Sequence, residues 1–222
     1  MPEPTGGTPQ AMTRVLLAGA TGLVGSLVLS QLLLHESVRV VAPTRRPLGT
    51  VHARLLNPVV DFDALPAGAE WWRVDSVICA LGTTMKAAGA RAAFARVDHD
   101  YPLAVARHAL AGGALAYALN SATGADVDSR VFYSRVKGEV ERDLATLGYV
   151  SLTLVRPGLI EGERRERRTG ERLAGAVLRT LSPVLPRRFR PSPAERVAAA
   201  LVDAALQARP GHHVVEAAQL AL

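Results

Sequence analysis

Short apolar runs alternate along the chain with stretches whose apolar residues recur at helical spacing. The first run, Arg14 to Ala18, ends at a glycine, and the stretch from Leu23 to Leu34 has the period of a helix. Later segments repeat this order of strand and helix. The pattern predicts strands at 37–42, 59–61, 76–81, 114–119 and 151–155, helices at 87–110 (broken at Pro102), 133–147 and 193–208, and a last strand at 213–216.

This alternation is typical of βαβ units and predicts an α/β fold with a doubly wound parallel sheet. Because crossovers between parallel strands are right-handed, we expect a Rossmann fold with strand order 3-2-1-4-5-6 and an optional seventh strand. Hydrophobic residues make up 49% of the chain and aromatic residues only 5%, which favours an aliphatic core around a parallel sheet. We expect residues 1–12 to be a flexible tail and residues 13–222 to be a single domain.

The composition also limits the kinds of partner. The single cysteine, Cys79, excludes an intramolecular disulfide, and without clustered Cys and His we expect no metal site and a cytoplasmic location. No apolar run approaches the roughly 18 residues of a membrane span, so we expect no membrane partner and no signal peptide. The net charge of +6 reflects 24 Arg and two Lys. The basic runs at 164–168 and 187–190 suit nucleic acid or solvated loops; no nucleic-acid motif accompanies them, so we expect loops and no nucleic-acid partner.

The strongest local signal is a glycine-rich turn between the first strand and the first helix. Glycine lets the backbone turn tightly and approach a pyrophosphate, whose charge suits the free N–H groups of a helix N-terminus. A plain tight turn is the alternative, but the position after an N-terminal strand favours dinucleotide binding. The predicted cofactor-binding residues of this turn are Gly19, Ala20, Thr21, Gly22, Leu23, Val24 and Gly25.

Residues after the second strand indicate which nicotinamide cofactor is bound. An acidic residue there binds the ribose 2′-hydroxyl of NAD, whereas a basic residue accommodates the 2′-phosphate of NADP. This chain has Arg45 and Arg46 and no acid beside them, so we predict NADPH, with ordinary surface arginines as the alternative. Contacts to the adenosine part are expected from residues after the third and fourth strands: Asp61, Phe62, Ala80, Leu81 and Gly82.

A Tyr–Lys pair is the candidate chemistry. Tyr133 and Lys137 stand at positions i and i+4 and share one face of the helix predicted at 133–147. A free phenol has a pKa of about 10, and we expect the neighbouring ammonium to lower the pKa of this phenol for general acid–base catalysis. Ser121 is placed to hold a substrate oxygen, and Lys137 to bind the nicotinamide ribose. A chance pair on a solvated helix face is the alternative; the scarcity of lysine in this chain argues against it.

Several segments of the chain form an ordered set: LLAGATGLVG, TRRP, ICALGTTMKAAG, FARVDHDYP, NSATGAD, FYSRVKGEVE and LVRPGLIEGER. Together, over residues 15 to about 173, they resemble the short-chain dehydrogenase/reductases. Within that family they are similar to a small atypical branch of Tat-interacting, oxidoreductase-like proteins. The resemblance implies a Rossmann fold, NADPH binding by the glycine turn and the two arginines, and an active site of Ser121, Tyr133 and Lys137.

The resemblance also implies that a backbone segment runs beside the nicotinamide, formed by Pro157, Gly158 and Leu159. Two departures stand out. The Asn that many short members carry on the central helix is not evident, and Val97-Asp98-His99 occupies that region. The chain also leaves little room for the C-terminal substrate lobe of extended members, so we expect substrate contacts from loops at 83–86, 123–130 and 159–171.

Two functions remain open at this point. One is an NADPH-dependent oxidoreductase that reduces a small carbonyl or quinone-like acceptor, working as a monomer or a dimer. The other is an NADPH-binding sensor, regulatory or assembly protein with little turnover. The presence of Ser, Tyr and Lys together favours the enzyme. Epimerase chemistry on a sugar nucleotide is a more distant reading, which the short C-terminal part argues against.

Overall fold

The computed structural model describes residues 12–161 and 191–221. Its strands are β1 Thr13–Ala18, β2 Val38–Val41, β3 Leu55–Leu56, β4 Ser76–Cys79, β5 Ala116–Asn120, β6 Ser151–Arg156, β7 Ile160–Glu161, β8 Ser192–Pro193 and β9 Gly211–Glu216. Its α-helices are α1 Leu23–Leu34, α2 Met85–Ala88, α3 Arg91–Ala95, α4 Tyr101–Ala111, α5 Phe132–Ala145, α6 Ala194–Gln207 and α7 Ala217–Leu220. A 3₁₀ turn covers Glu70–Trp72, and a π-helical turn covers Arg96–Asp100.

A seven-stranded sheet forms the centre of the fold, in the order β3-β2-β1-β4-β5-β6-β9. All of its pairings are parallel. The predicted Rossmann order is therefore confirmed, and β9, paired with β6, is the seventh strand. Because β1 lies between β2 and β4, the order of strands reverses beside it, and sheets of this kind bind ligands at the carboxyl ends of the strands next to such a point.

The core consists of two apolar layers, one on each face of the sheet. Side chains of a strand alternate between the two faces, so Val15 and Leu17 pack toward α1 and α6, whereas Leu16 packs toward α4 and α5. Both layers are mostly aliphatic, as the composition predicts. Fully buried members such as Val28 and Leu201 each stabilise the fold by about 1.5–3 kcal/mol.

The third strand lies earlier in the chain than predicted. Leu55–Leu56 pairs with β2, whereas Val59 makes only an isolated bridge to Thr44. Two features explain the difference. Pro58 has no N–H for a strand ladder, and the Asn57 side chain donates to the Ala42 carbonyl at 2.6 Å, which occupies the end of β2. The prediction of a strand at 59–61 is therefore wrong.

The segment predicted as one helix over 87–110 consists of several pieces. Pro102 does not break it: the N–H of Tyr101, directly before it, bonds to the Arg96 carbonyl five residues back, and this wider turn accommodates the N–H that Pro102 lacks. The irregularity falls just before, in the π-helical turn Arg96–Asp100, through which α3 continues into α4. Insertions of this kind occur frequently at functional sites.

None of the described helices is long and apolar enough to cross a membrane. The predicted tail lies outside the described residues except for Met12, and so do the two basic runs at 164–168 and 187–190. The expected substrate loop at 159–171 is described only as far as Glu161. The assignment of 13–222 to a single domain stays a prediction.

Candidate functional site

Two glycines of the predicted phosphate turn are required by the packing of the chain itself. Gly19 has φ +94°, and a Cβ there would lie 2.6 Å from the carbonyl carbon of Ala80. A Cβ on Gly25 would lie 2.0 Å from the carbonyl oxygen of Gly19. These glycines therefore let β1, α1 and the loop after β4 approach each other at one point.

Gly22 differs from them, because its packing against the protein does not require a glycine. A Cβ at Gly22 would meet only the Gly19 carbonyl oxygen, at an ordinary 3.5 Å, and its φ is −77°. Gly22 is the N-cap of α1, no side chain caps this helix, and its first turn contains no acidic residue. The helix therefore presents an uncovered, partly positive N-terminus, which fits a phosphate group.

Arg45 and Arg46 lie at the same edge of the sheet, just after β2. Both are exposed. The backbone before them is fixed, since Thr44 Oγ1 donates to the carbonyl of Arg46 at 2.6 Å and accepts from Asn57 Nδ2 at 2.8 Å. The pair of guanidinium groups thus extends from a held turn into solvent, where a phosphate can reach them.

The residues predicted to contact adenosine differ in their surroundings. Asp61 is exposed, and its carboxylate accepts the Asp63 N–H at 2.9 Å in a tight turn. Phe62 is buried and packs against Tyr101, with ring centroids 5.5 Å apart, so it belongs to the hydrophobic core. Ala80, Leu81 and Gly82 form the loop that touches Gly19.

Lys137 is held by a carboxylate that the sequence reading did not assign to the site. Its Nζ lies 2.8 Å from Asp98 Oδ1, and both side chains are almost completely buried. The other oxygen of Asp98 accepts the Thr83 N–H at 2.8 Å. Asp98 lies in the π-helical turn and therefore links the loop after β4 to α5. From the sequence alone, the region of Asp98 is marked only by the absence of the expected Asn.

Tyr133 is half-exposed and packs its ring against Phe94, with centroids 5.7 Å apart. Burial raises the pKa of the Tyr133 phenol; Lys137 lowers this pKa and Asp98 raises it, and the net direction is upward. The expectation of a lowered phenol pKa is therefore wrong for the free protein. The lysine acts in the expected direction, but its effect is smaller than that of burial.

Ser121 makes contact with a second buried carboxylate, on α5. Its Oγ donates to Glu141 Oε1 at 2.5 Å. Arg156, at the end of β6, holds the same carboxylate through Nε at 3.0 Å and Nη2 at 2.5 Å. Because the single hydroxyl proton of Ser121 is directed to Glu141, the serine offers lone pairs to a ligand. One feature of the sequence points to Glu141: it stands four residues after Lys137, one helical turn further along.

The segment after β6 is fixed by backbone bonds to the protein. The carbonyl of Pro157 accepts the Thr123 N–H at 2.8 Å, and the N–H of Gly158 donates to Ser192 Oγ at 3.1 Å. Leu159 is exposed, and its carbonyl accepts the Ser192 N–H at 2.9 Å. A contact of this segment with nicotinamide stays a prediction.

The fold thus brings most of the predicted site to one edge of the sheet. The glycine turn, the Ala80–Gly82 loop, Ser121 and the Tyr133–Lys137 pair follow the carboxyl ends of β1, β4 and β5 or lie on the adjacent α5. In open α/β sheets ligands bind at this edge, beside the point where the strand order reverses. The arrangement can hold an anionic dinucleotide and present a phenol, an ammonium and a hydroxyl to a small molecule beside it.

Proteins of similar sequence occur in fungi and mammals. The chain is 36% identical over 171 residues to "Protein fmp52, mitochondrial" of Emericella nidulans, covering 73% of each chain. It is 38% identical over 165 residues to "Protein HTATIP2" of Rattus norvegicus, covering 72% of this chain and 68% of that protein. No protein-family model matches. The fungal name refers to mitochondria, so it gives no support to the predicted cytoplasmic location.

Solved structures with the same fold are more distant in sequence. MoeE5 in complex with UDP-glucose and NAD superposes with a TM-score of 0.68 at 18% identity, covering 90% of this chain and 74% of that chain. A short chain dehydrogenase family protein from Francisella tularensis subsp. tularensis SCHU S4 gives 0.65 at 13% identity, covering 94% and 99%. At these identities the likeness establishes the fold alone.

Proposed function

Since this chain belongs to the family of atypical short-chain dehydrogenase/reductase-like proteins that includes fmp52 and HTATIP2, we propose that it is an NADPH-dependent reductase of a small carbonyl or quinone-like acceptor. Membership of that family confirms the resemblance drawn from the ordered motifs. The activity and the acceptor are the proposal.

One observation carries the proposal: the phenol of Tyr133 and the buried ammonium of Lys137 lie next to the loop that packs on the glycine turn. Lys137 reaches that loop through Asp98, which accepts the Thr83 N–H. A dinucleotide seated on the uncovered N-terminus of α1 would therefore extend toward the Tyr–Lys pair.

The residues present fit two parts of the cofactor, its pyrophosphate and its 2′-phosphate. The phosphates suit the α1 N-terminus, where Gly22 leaves space that the packing of the protein does not fill. The 2′-phosphate of NADPH suits Arg45 and Arg46, since two planar guanidinium groups can each donate paired hydrogen bonds to a phosphate. NAD is named for MoeE5, whereas the two arginines favour NADPH for this chain.

Each polar group of the site has one role in the proposed reaction. When bound, NADPH would supply the hydride for the acceptor. The phenol of Tyr133 donates the proton that the acceptor oxygen requires, and its raised pKa keeps that proton in place at neutral pH. Lys137 keeps N–H donors beyond the one that faces Asp98, and these hold the cofactor ribose. Once the oxygen of the reduced molecule is protonated, its O–H donates a hydrogen bond to Ser121 Oγ.

The test is a fluorescence titration of NADPH and NADH against the wild type and the Arg45→Ala/Arg46→Ala variant. Loss of the two guanidinium groups should weaken NADPH binding by roughly tenfold or more and leave NADH binding unchanged, because only NADPH carries the 2′-phosphate. The matched control is Arg107→Ala/Arg209→Ala, which removes the same charge from two exposed sites elsewhere. A parallel loss in the control would mean that net charge, not the arginine pair, governs binding.

The second function, an NADPH-binding sensor or assembly protein with little turnover, is favoured by one observation. The proton of Ser121 points to Glu141, so the serine does not polarise a carbonyl by donation in this arrangement. Incubation with NADPH and a panel of carbonyls and quinones separates the two functions. NADPH oxidation that Tyr133→Phe abolishes supports the reductase. Tight NADPH binding without oxidation of any acceptor supports the sensor.

A further inference from the structure

Asp98 is a buried carboxylate that contacts two parts of the site at once. One oxygen lies 2.8 Å from Lys137 Nζ on α5, and the other accepts the Thr83 N–H at 2.8 Å in the loop after β4. Only 2% of its side chain is exposed. Asp98 therefore joins this loop to the lysine through a single side chain.

The π-helical turn places Asp98 in this position. Its neighbours on the turn, His99 and Asp100, point elsewhere: His99 Nδ1 lies 2.8 Å from Asp100 Oδ1, and Asp100 is exposed. A π-helical turn inside an α-helix changes the direction of its side chains, and such turns are frequent at functional sites. Here the turn directs one carboxylate into the protein and the next one out.

Charge is the second part of the argument. An ammonium and a carboxylate at 2.8 Å form a pair with no net charge. The groups that face this pair are the Tyr133 phenol on α5 and the Cys79 thiol at the end of β4. The phenol therefore faces an ion pair and not an isolated cation, and the carboxylate weakens the attraction that would stabilise a phenolate.

We propose that Asp98 is a positioning residue of the site: it fixes the Lys137 ammonium against the Thr83 loop and cancels its charge, so that Tyr133 serves as a proton donor and not as a base. This inference rests on the proposed reductase function and gives it a direction. A site whose phenol stays protonated is suited to reducing an acceptor. The opposite reaction requires the phenolate to take up a proton.

The pKa directions agree with this geometry. The Tyr133 pKa is raised, first by burial, with Lys137 acting to lower it and Asp98 to raise it. The Lys137 pKa is also raised: burial acts to lower it, but Asp98 outweighs that effect, with help from Tyr133 and Cys79. Removing the carboxylate should therefore favour the phenolate.

The test is an ultraviolet pH titration of tyrosinate in the free protein. Subtracting the titration of Tyr133→Phe from that of the wild type isolates Tyr133 from the other three tyrosines. The same subtraction is made in an Asp98→Asn background, where the amide keeps the size of the side chain and an oxygen for the Thr83 N–H. We expect the Tyr133 midpoint to fall in Asp98→Asn. The matched control, Asp100→Asn, makes the same change two residues away on the exposed side of the turn and should leave the midpoint unchanged.

An unchanged or higher midpoint in Asp98→Asn would overturn the inference. So would an equal fall in Asp100→Asn, because the effect would then be a general one of charge. If Asp98→Asn does not fold, the wild type decides alone: a Tyr133 that ionises below the ordinary tyrosine pKa of about 10 contradicts the cancellation of charge.

Kinetics separate this inference from the proposed function. If the wild type reduces an acceptor, Asp98→Asn should lower kcat and move the alkaline decline of the rate to lower pH, with NADPH affinity within about threefold of the wild type. If the wild type binds NADPH but reduces nothing, the reductase proposal fails, while the tyrosinate titration still decides the role of Asp98.

Discussion

Single residues of this protein join parts of the site that lie far apart in sequence. Glu141 is an example: its carboxylate accepts from Ser121 after β5 and from Arg156 at the end of β6, and only 5% of the residue is exposed. Arg156 also lies 3.4 Å from Glu216. A buried carboxylate is tolerated only when several donors surround it, so this residue links the stability of the fold to the orientation of the serine.

Replacing Glu141 by Gln should destabilise the protein by about 3 kcal/mol, because Arg156 would lose its charged partner in a largely buried site. The measurement is urea unfolding at neutral pH. The control is Glu139→Gln on the same helix, where the pair with Arg135 is 4.0 Å long and more exposed, and a change below about 0.5 kcal/mol is expected. Equal effects of the two substitutions would show that Glu141 has no special structural role.

Glycines allow the close approaches between elements on which the site depends. Gly138 shows this on α5: a Cβ there would lie 2.3 Å from the backbone of Asp126, so the glycine lets the helix touch the loop that follows Ser121. The glycine turn does the same between β1 and α1. In both places protein backbone fills the space that a side chain would take. At Gly22 the protein leaves that space unfilled.

This difference predicts opposite results for two alanine substitutions in one turn. Gly25→Ala should destabilise the protein by more than about 3 kcal/mol, because its methyl group would overlap the Gly19 carbonyl. Gly22→Ala should fold with nearly unchanged stability and lose roughly tenfold or more in NADPH affinity, because its methyl group would meet the phosphates. Thermal unfolding and fluorescence titration measure the two effects. Full NADPH affinity in Gly22→Ala would contradict a phosphate site at the α1 N-terminus.

At the scale of the whole molecule, the core contains ionisable groups that the folded state keeps neutral. Tyr117 and Tyr149 donate to carbonyls of α4, to Pro102 at 3.0 Å and to Ala106 at 2.7 Å. Burial raises the pKa of both phenols above that of a free tyrosine, and it also raises the pKa of the Cys79 thiol. The unfolded chain ionises these groups at lower pH than the folded protein does. Their contribution to stability is therefore complete below the unfolded pKa values and declines as the pH rises above them.

We expect the free energy of unfolding to decrease steeply as the pH rises from about 8 to about 10.5. Tyr149→Phe should lose about 1 kcal/mol at the lower pH, because a buried hydrogen bond is removed, and should then decline less steeply than the wild type. Urea unfolding at the two pH values provides the comparison. If the variant and the wild type decline in parallel, ionisation of Tyr149 does not contribute to alkaline unfolding.

How far the sequence predicts this structure depends on how local each signal is. The boundaries of α1 agree with the prediction, because glycines and a regular apolar period define that helix. The third strand was misplaced, because Leu55–Leu56 is only two residues long and its pairing with β2 defines it. The π-helical turn was missed, since its effect is to aim Asp98 at a lysine 39 positions away in the chain, and no local pattern records such a contact.

The sequence by itself determined the parallel α/β sheet, the glycine turn and the Tyr–Lys pair, because strand period, glycine spacing and an i, i+4 spacing are written within a few neighbouring residues. Only the tertiary structure decided what surrounds that pair. Asp98 on Lys137 and Glu141 on Ser121 arise where separate elements meet, and burial at those meeting points sets the pKa of Tyr133. Electrostatics depends on distance and exposure in space, and the order of residues fixes neither until the chain has folded.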